Sequence, residues 1–509
     1  MEKMKLFNTL SGKKEDLSKS KGNPLRLFVC GPTVYDYLHI GNARTYLVFD
    51  AFVKYLSSTS TKVFYLQNIT DIDDKIITRA AEEGAKPEEI AAKFQRIYFQ
   101  NTKDLGITAV DKYAPATEFI PEIAEQIKTL LKKGYAYKIP EDGIYFDIAK
   151  FRNYGRLARR TALQAEDATS RIDESIKKKN RGDFVLWKYA DQRGSLRACL
   201  PAGRDLRGKN SVIVNGDPST SLRASPSWST PLGWGRPGWH IEDTAITEKF
   251  FGPQYDIHGG GIDLKFPHHE AEIAQQESAS GKTPFVKIWM HVGTLTVNGE
   301  KMSKSKGNYI SIADFLKRYP ADVLRLIALT HHYRSPINYT ETLVRDHLAS
   351  WNGLLEFLGK LHFVEKHAIV KHVLPKGEID FSKELEDDFN TPKAIGAIFK
   401  RVSNLQPKIW KFSKSEARGL YTDIASALRS LGFSPSPPKI PAKIEAFAKE
   451  REKSRRNKQF VQADALRKEI DRLGYVIEDT PLGPYIWGKH EVRSTKSETN
   501  SNGRKFKTI

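Results

Sequence analysis

Two short segments of the chain carry residues that could act on a phosphate chain. The first, Gly31-Pro32-Thr33-Val34-Tyr35-Asp36-Tyr37-Leu38-His39-Ile40-Gly41-Asn42-Ala43-Arg44, sets His39 and Asn42 where a strand hands over to a helix. A helix N-terminus there offers backbone N–H groups and the positive end of the helix dipole, and Gly41 permits close backbone approach. The second, Asn298-Gly299-Glu300-Lys301-Met302-Ser303-Lys304-Ser305-Lys306-Gly307-Asn308, is a tight Asn-Gly turn followed by a loop with alternating lysines. Such a loop can close over a triphosphate and bring Lys301 and Lys304 to the charge that develops as pyrophosphate leaves. Taken singly, the first is equally a generic turn with a surface histidine, and the second a solvated basic loop. Both in this order, each at the edge of an α/β half, make coincidence improbable.

The elements that must position these residues are legible around them. Leu25-Arg26-Leu27-Phe28-Val29 reads as a buried strand, Cys30-Gly31-Pro32 as a turn, and a helix begins near Gly41-Asn42. A second unit of the same style places a strand at Tyr255-Asp256-Ile257-His258, a loop at Gly259-Gly260-Gly261, and a helix from about Pro267 to Glu277. The two halves of a doubly wound sheet have to pair in space, so the intervening stretch is an insertion into one nucleotide-binding domain. From about 316 the periodicity is helical, as in Pro320-Ala321-Asp322-Val323-Leu324-Arg325-Leu326, and a helix bundle is expected to run to an end unit between Ala463 and Trp487. Between Asp191 and Ser225 the chain is rich in Gly, Arg, Ser and Pro without period, and beyond Gly488 it is polar and basic.

Length and charge fit this reading. The chain of 509 residues, 39% apolar, is long enough for several domains with a substantial core. Lys plus Arg number 81 against 61 Asp plus Glu, a net charge of +20 that favours a polyanionic partner such as nucleic acid. Two cysteines, Cys30 and Cys199, exclude a disulfide framework, and no apolar run or signal pattern is present, so a cytoplasmic setting without membrane contact is expected.

The two phosphate-facing segments resemble the HIGH and KMSKS motifs of class I aminoacyl-tRNA synthetases, with Asn42 at the fourth HIGH position. Longer stretches are similar to cysteinyl-tRNA synthetases in particular: Phe28 to Asp36, Asn68-Ile69-Thr70-Asp71-Ile72-Asp73-Asp74-Lys75, Asp183 to Lys188, Gly238-Trp239-His240-Ile241-Glu242, Asp256 to Gly261, Pro267 to Glu272, and Asp387-Asp388-Phe389-Asn390-Thr391-Pro392. The resemblance covers nearly everything from about 5 to 488 apart from the irregular loop. It implies an α/β fold with a Rossmann-type catalytic domain and a large insertion, followed by an α-helical anticodon-binding bundle. The expected divisions are 1–104 and 236–315 for the catalytic halves and 105–235 for the insertion, which holds the loop 192–224. A stem-contact region follows at 316–380, then an anticodon-binding domain at 381–488 and a basic tail at 489–509.

The resemblance also implies the site. A zinc ion, one per chain, would be held by Cys30, Asp243, His268 and Glu272. Asp243 is a departure, because the family places a cysteine there. His268 and Glu272, four apart on the expected helix, face one side, as a shared ion requires. A thiolate substrate gains from soft coordination what serine cannot, whereas a steric pocket separates such near-isosteres poorly. Gly31, Thr70, Trp239 and Asp263 would bind the amino acid, with Asp263 near its α-amino group, though for Trp239 a plain buried aromatic accounts equally well. Thr33, His39, Gly41, Asn42 and Lys304 would bind ATP, with Mg²⁺, and His39, Asn42, Lys301 and Lys304 would carry catalysis by positioning and charge stabilisation. The implied activity is cysteinyl adenylate formation followed by transfer to tRNA(Cys), by a monomer that uses L-cysteine and ATP. Two rivals stand beside it: a cysteine ligase acting on a small amine, disfavoured by the helical sequence after the lysine loop, and a non-catalytic tRNA-binding descendant, disfavoured by intact His39, Lys301 and Lys304.

Overall fold

The computed structural model describes residues 4–17, 23–160, 177–190, 226–368 and 381–489. The irregular loop 192–224 with Cys199, and the tail beyond Lys489, lie outside the described residues. The chain divides into two compact units, Met1–Thr294 and Leu295–Ile509.

The first unit is built on a parallel sheet of five strands: β1 (Leu25–Val29), β2 (Val63–Ile69), β3 (Lys112–Pro115), β4 (Tyr255–Gly261) and β5 (Val286–Val292), in the order β5-β4-β1-β2-β3. Strands covered on both faces read as continuous apolar runs, and Leu27, Phe28 and Val29 of β1 are fully buried. The neighbours β1 and β4 are the two halves expected from the sequence, paired in register at Leu27 with Ile257 and Val29 with Gly259. The order reverses between them, and in open α/β sheets ligands bind at the carboxyl ends of the strands flanking such a switch. Helix α1 (Ile40–Ser58) follows β1; α2 (Ile241–Phe251) precedes β4 and α3 (His268–Ser280) follows it.

Two local expectations differ from the structure. Gly259, Gly260 and Gly261, read as a loop, continue β4 and pair with Met290, His291 and Val292. Their lack of side chains answers close packing rather than a turn, since a Cβ on Gly259 would collide with the Phe49 ring. The parallel sheet also reaches past 104: β3 lies inside the stretch read as insertion, and its short sequence Lys-Tyr-Ala-Pro buries only Ala114, too little to announce a strand. The inserted segment itself forms an antiparallel sheet of Ala136–Ile139, Gly143–Phe146, Phe184–Tyr189, Gly233–Pro237 and Trp228–Thr230 in that order. It shares a core of Ile123, Ile127, Phe146, Leu186 and Trp187 with the amphipathic helix Ile120–Lys132.

The second unit opens with a small sheet in which Leu295–Val297 runs parallel to Ile337–Tyr339 and antiparallel to Glu300–Lys301. Helices follow at Ile312–Arg318, Ala321–Leu329, Glu341–His367, Thr391–Leu405 and Lys414–Ser430, then Ala442–Arg456 and Phe460–Arg472. The chain does not stay helical to its end. Tyr475–Thr480 and Gly483–Gly488 form a β-hairpin, with Ile477 and Tyr485 turned inward. Asp388 ties this unit together: it is fully buried, accepts from the Tyr333 hydroxyl (2.6 Å) and from Arg334 Nε (3.0 Å), and has φ +64°. Asp388→Ala strands a buried phenol and places a Cβ-only residue in the left-handed region, so it should destabilise the second unit by about 3 kcal/mol. Urea unfolding followed by tryptophan fluorescence measures this, and a loss under about 1 kcal/mol would show that Arg334 and Tyr333 find other partners.

Candidate active site

The turn after β1 is fastened to the end of β2. Thr33 and Thr70 form a parallel bridge, with Val34 N–H donating to Thr70 O (3.1 Å) and Thr70 N–H to Pro32 O (3.1 Å). Gly31 is required here, because any Cβ would run into the carbonyl of Asn68. Six residues beyond Thr33 the chain enters α1 through a reciprocal cap: Asn42 N–H donates to His39 Nδ1 (3.2 Å), and His39 N–H donates to Asn42 Oδ1 (3.2 Å). This gives Asn42 a local reason to stand where it does. With Nδ1 accepting, the neutral imidazole carries its proton on Nε2, a donor suited to an anion at the helix N-terminus.

Next to this turn four residues from three parts of the first unit converge. Cys30 comes from the end of β1, Asp243 from α2, and His268 and Glu272 from the first two turns of α3; one ligand atom from each lies within 4.8 Å of the others, and all four residues are buried. Cys30 Sγ is 3.4 Å from Asp243 Oδ2, which is 3.0 Å from His268 Nε2, and His268 Nε2 is 3.1 Å from Glu272 Oε1. The other oxygen of Asp243 accepts from Asn68 Nδ2 (2.6 Å), and Asn68 Oδ1 accepts from Gly31 N–H (2.6 Å), so Asn68 locks the carboxylate to the β1 turn. Glu242, next to Asp243, takes the Thr70 hydroxyl and approaches Asn68 Nδ2.

The cluster fits a divalent cation. Glu272 is 0% exposed, yet neither carboxylate oxygen accepts a hydrogen bond of good geometry. Two orphaned carboxylate oxygens facing a thiol, a second carboxylate and an imidazole nitrogen form a donor set of the kind zinc takes. Burial raises the Cys30 thiol well above its usual range, and the neighbouring Asp243 raises it further. Burial followed by Asp243 does the same to Glu272, and burial holds His258 and His269 well below the usual imidazole range. A positive ion at the centre reverses that balance for the acidic donors.

The remaining candidates sit around this core. Trp239 is stacked on His268, ring centroids 4.3 Å apart and 15° between planes, with Lys75 Nζ 5.9 Å from its centroid. It is half-buried rather than a core aromatic, so one face is committed to a candidate ligand residue. Thr70 is 2% exposed and spent on Glu242, whereas Asp263 is exposed in the short turn Ile262–Lys265 after β4. In the second unit, Asn298 (φ +51°) and Gly299 (φ +83°) make the expected hairpin turn, and Lys301 pairs with Thr296. Asn308 closes the following loop by accepting from Ser303 N–H (2.8 Å) and donating to Lys301 O (3.1 Å); Lys304 is exposed, its Nζ 5.2 Å from the Tyr309 ring centroid.

Comparison with known proteins decides the family. The model of the class I (C) tRNA synthetase catalytic domain matches residues 16–205 and 219–349, a DALR domain matches 380–432, and a cysteinyl-tRNA ligase anticodon binding domain matches 437–486. The cysteine–tRNA ligase of Thermococcus gammatolerans is 36% identical over 96% of this chain and 100% of its own length. That of Carboxydothermus hydrogenoformans is 36% identical over 94% of this chain and 99% of its own. The chain belongs to the cysteine–tRNA ligase family. Its fold is shared more widely: methionyl-tRNA synthetase of Mycobacterium tuberculosis superposes with a TM-score of 0.53 at 15% identity, covering 82% of this chain and 92% of the other.

For a cysteine–tRNA ligase the structure adds residues that sequence reasoning left aside. His258 and His269 bring Nε2 to 3.2 and 3.1 Å from Cys30 Sγ, and His291 and His240 stand directly behind the histidines of the cluster. A signal was present, since His258, His268-His269 and His291 are polar residues inside elements that are buried apart from Gly261, Ser280 and Lys287.

Proposed function

We propose that this cysteine–tRNA ligase activates L-cysteine with ATP in its first unit, on a zinc ion held by Cys30, Asp243, His268 and Glu272, and then charges tRNA(Cys). The observation that carries the reading is the buried convergence of those four donors just past the carboxyl end of β1, in a chain aligned with cysteine–tRNA ligases over nearly its whole length. Asp243 keeps the negative charge that a thiolate would supply and is an acceptable zinc ligand. Zinc, when bound, offers a soft acceptor that distinguishes a thiolate from an alcohol.

The protein's own groups do the rest by position and charge. A carboxylate oxygen of cysteine attacks the α-phosphorus of ATP in line, and pyrophosphate departs with the electron pair of the broken P–O bond. The N–H groups of Ile40 and Gly41 at the start of α1, with His39 Nε2, hold the phosphates, while Lys301 and Lys304 neutralise charge on the leaving group; Mg²⁺ accompanies ATP. Gly31, Thr33, Gly41, Asn42, Thr70, Trp239 and Asp263 shape the two substrate sites, and a ribose hydroxyl of the tRNA takes the acyl group with release of AMP. We assign 437–486 to the anticodon, and take the protein to be a cytoplasmic monomer; among the described residues no helix is long and apolar enough to cross a membrane. Cysteine-dependent ATP–pyrophosphate exchange with and without tRNA, alongside metal analysis, tests the reading. Exchange absent in metal-replete protein sinks it.

The C-terminal helices Ala442–Arg456 and Phe460–Arg472 and the hairpin have a small core of their own, Ile444, Ala448, Ile470 and Ile477. A chain ending at Ser436 should therefore keep pyrophosphate exchange within about twofold and lose at least about tenfold in the rate of tRNA charging. Equal charging by the shortened chain would remove the anticodon assignment. Cutting earlier, at Phe381, would instead strip Phe433 from its stack on Trp351 (5.3 Å) and Asp388 from Tyr333, so that variant would report instability.

A further inference from the structure

The donors around Cys30 form two overlapping sets. Beside Cys30, Asp243, His268 and Glu272 stand Cys30, His258, His269 and Glu272, again buried and again with one ligand atom from each within 4.8 Å of the rest. Around a tetrahedral zinc with bonds of about 2.0–2.3 Å, neighbouring ligand atoms sit roughly 3.3–3.8 Å apart. Cys30 Sγ lies 3.4 Å from Asp243 Oδ2, inside that range, and 3.2 Å from His258 Nε2 and 3.1 Å from His269 Nε2, just below it, so an ion on the second set needs those rings to draw back by only a few tenths of an ångström.

The two imidazoles are also held as ligands are held. His258 Nδ1 meets the Tyr255 hydroxyl at 2.7 Å; His269 Nδ1 meets His291 Nε2 at 2.8 Å, and His291 Nδ1 in turn meets Thr9 Oγ1 at 2.9 Å. A partner at the far ring nitrogen fixes ring orientation and leaves the near nitrogen to the metal, as at His269; His258 Nδ1 lies 3.4 Å from Glu272 Oε2 besides its contact with Tyr255, and it is Nε2 that is turned to Cys30. Charge separates the sets. The first gathers a thiolate, two carboxylates and one imidazole; the second gathers a thiolate, one carboxylate and two neutral imidazoles, which cancels a divalent ion in a buried site. While Asp243 is present its carboxylate, backed by Asn68, would be left buried and unbalanced if the ion moved away, which keeps the ion on the first set.

We propose that Cys30 and Glu272 are shared by two metal positions, and that removing the Asp243 carboxylate moves the ion onto His258 and His269 instead of releasing it. This deepens the metal reading given above and rests on it. In either position the ion displaces the thiol proton of Cys30 to solvent, while the imidazoles enter neutral with their protons on Nδ1. The second set is richer in nitrogen, so the shifted site suits zinc and cobalt and should disfavour oxygen-seeking cations.

The test uses the full-length protein stripped of metal and reloaded with Zn²⁺ or Co²⁺, reading metal per chain and the Co²⁺ absorption spectrum. Unmodified protein and Asp243→Ala should each hold about one ion, with the ligand-field bands of Asp243→Ala shifted as nitrogen replaces oxygen. Asp243→Ala/His269→Gln should fall by about tenfold or more in affinity, and Asp243→Ala/His258→Gln should do the same, which guards against misfolding of one double variant. His269→Gln alone should keep its ion. Loss of metal from Asp243→Ala by itself overturns the proposal, as does full retention by both double variants. An unmodified protein that takes up neither ion overturns the zinc reading itself, and the second position with it.

Discussion

Lys304→Ala is expected to slow cysteine-dependent adenylate formation by about 10²–10³-fold while changing affinity for tRNA by less than about twofold. The lysine stands exposed on a loop that Asn308 closes by bonding to Ser303 N–H and Lys301 O. Lys304 lies beyond the strand pairing that engages the Lys301 backbone, and its side chain can follow the phosphates as charge builds on the departing pyrophosphate. An interaction that strengthens only in the transition state lowers the rate of the chemical step with little effect on ground-state binding. Lys304→Arg keeps the charge but exchanges a compact ammonium for a planar fork, so partial activity is expected. Single-turnover pyrophosphate release and filter binding of tRNA separate the two quantities. Parallel losses in both assays would mean that the loop is a general basic patch, and the catalytic role assigned to it would fall.

Cys30→Ala should strip the metal, with at least about tenfold less zinc per chain after dialysis, and should collapse the preference for cysteine over serine. Cys30 is the one sulfur among the described donors and belongs to both donor sets, so neither position survives its loss. A pocket that merely fits the side chain separates near-isosteres by only about 10–200-fold, which sets the ceiling for the residual preference. Exchange rates measured with each amino acid over the metal-free and reloaded variant give the ratio directly. If the variant binds zinc normally, or discriminates as well without it, selectivity arises elsewhere.

The sequence by itself determined what depends on neighbours along the chain. The run Leu25 to Val29 is a strand with those bounds, the helix after His39 starts one residue from where the glycine-asparagine pair suggested, and Asn298-Gly299 turns with positive φ at both residues. His268 and Glu272 share a helix face because 3.6 residues make a turn, and the two atoms they offer lie 3.1 Å apart. What only the tertiary structure decided is whatever required separate elements to meet. Asn68 from β2 fixes one oxygen of Asp243 and thereby aims the other at Cys30 and His268, a constraint with no local trace in the sequence. The glycines of β4 read as a loop because glycine permits turns, whereas the packed Phe49 ring is what demands them in a strand. The hairpin after Arg472 interrupts a helical pattern because burying Ile477 and Tyr485 against the helices outweighs local propensity. His258 and His269 became ligand candidates only when the parallel sheet set β4 beside β1, bringing nitrogens from residues 228 and 239 positions away in the chain against one sulfur.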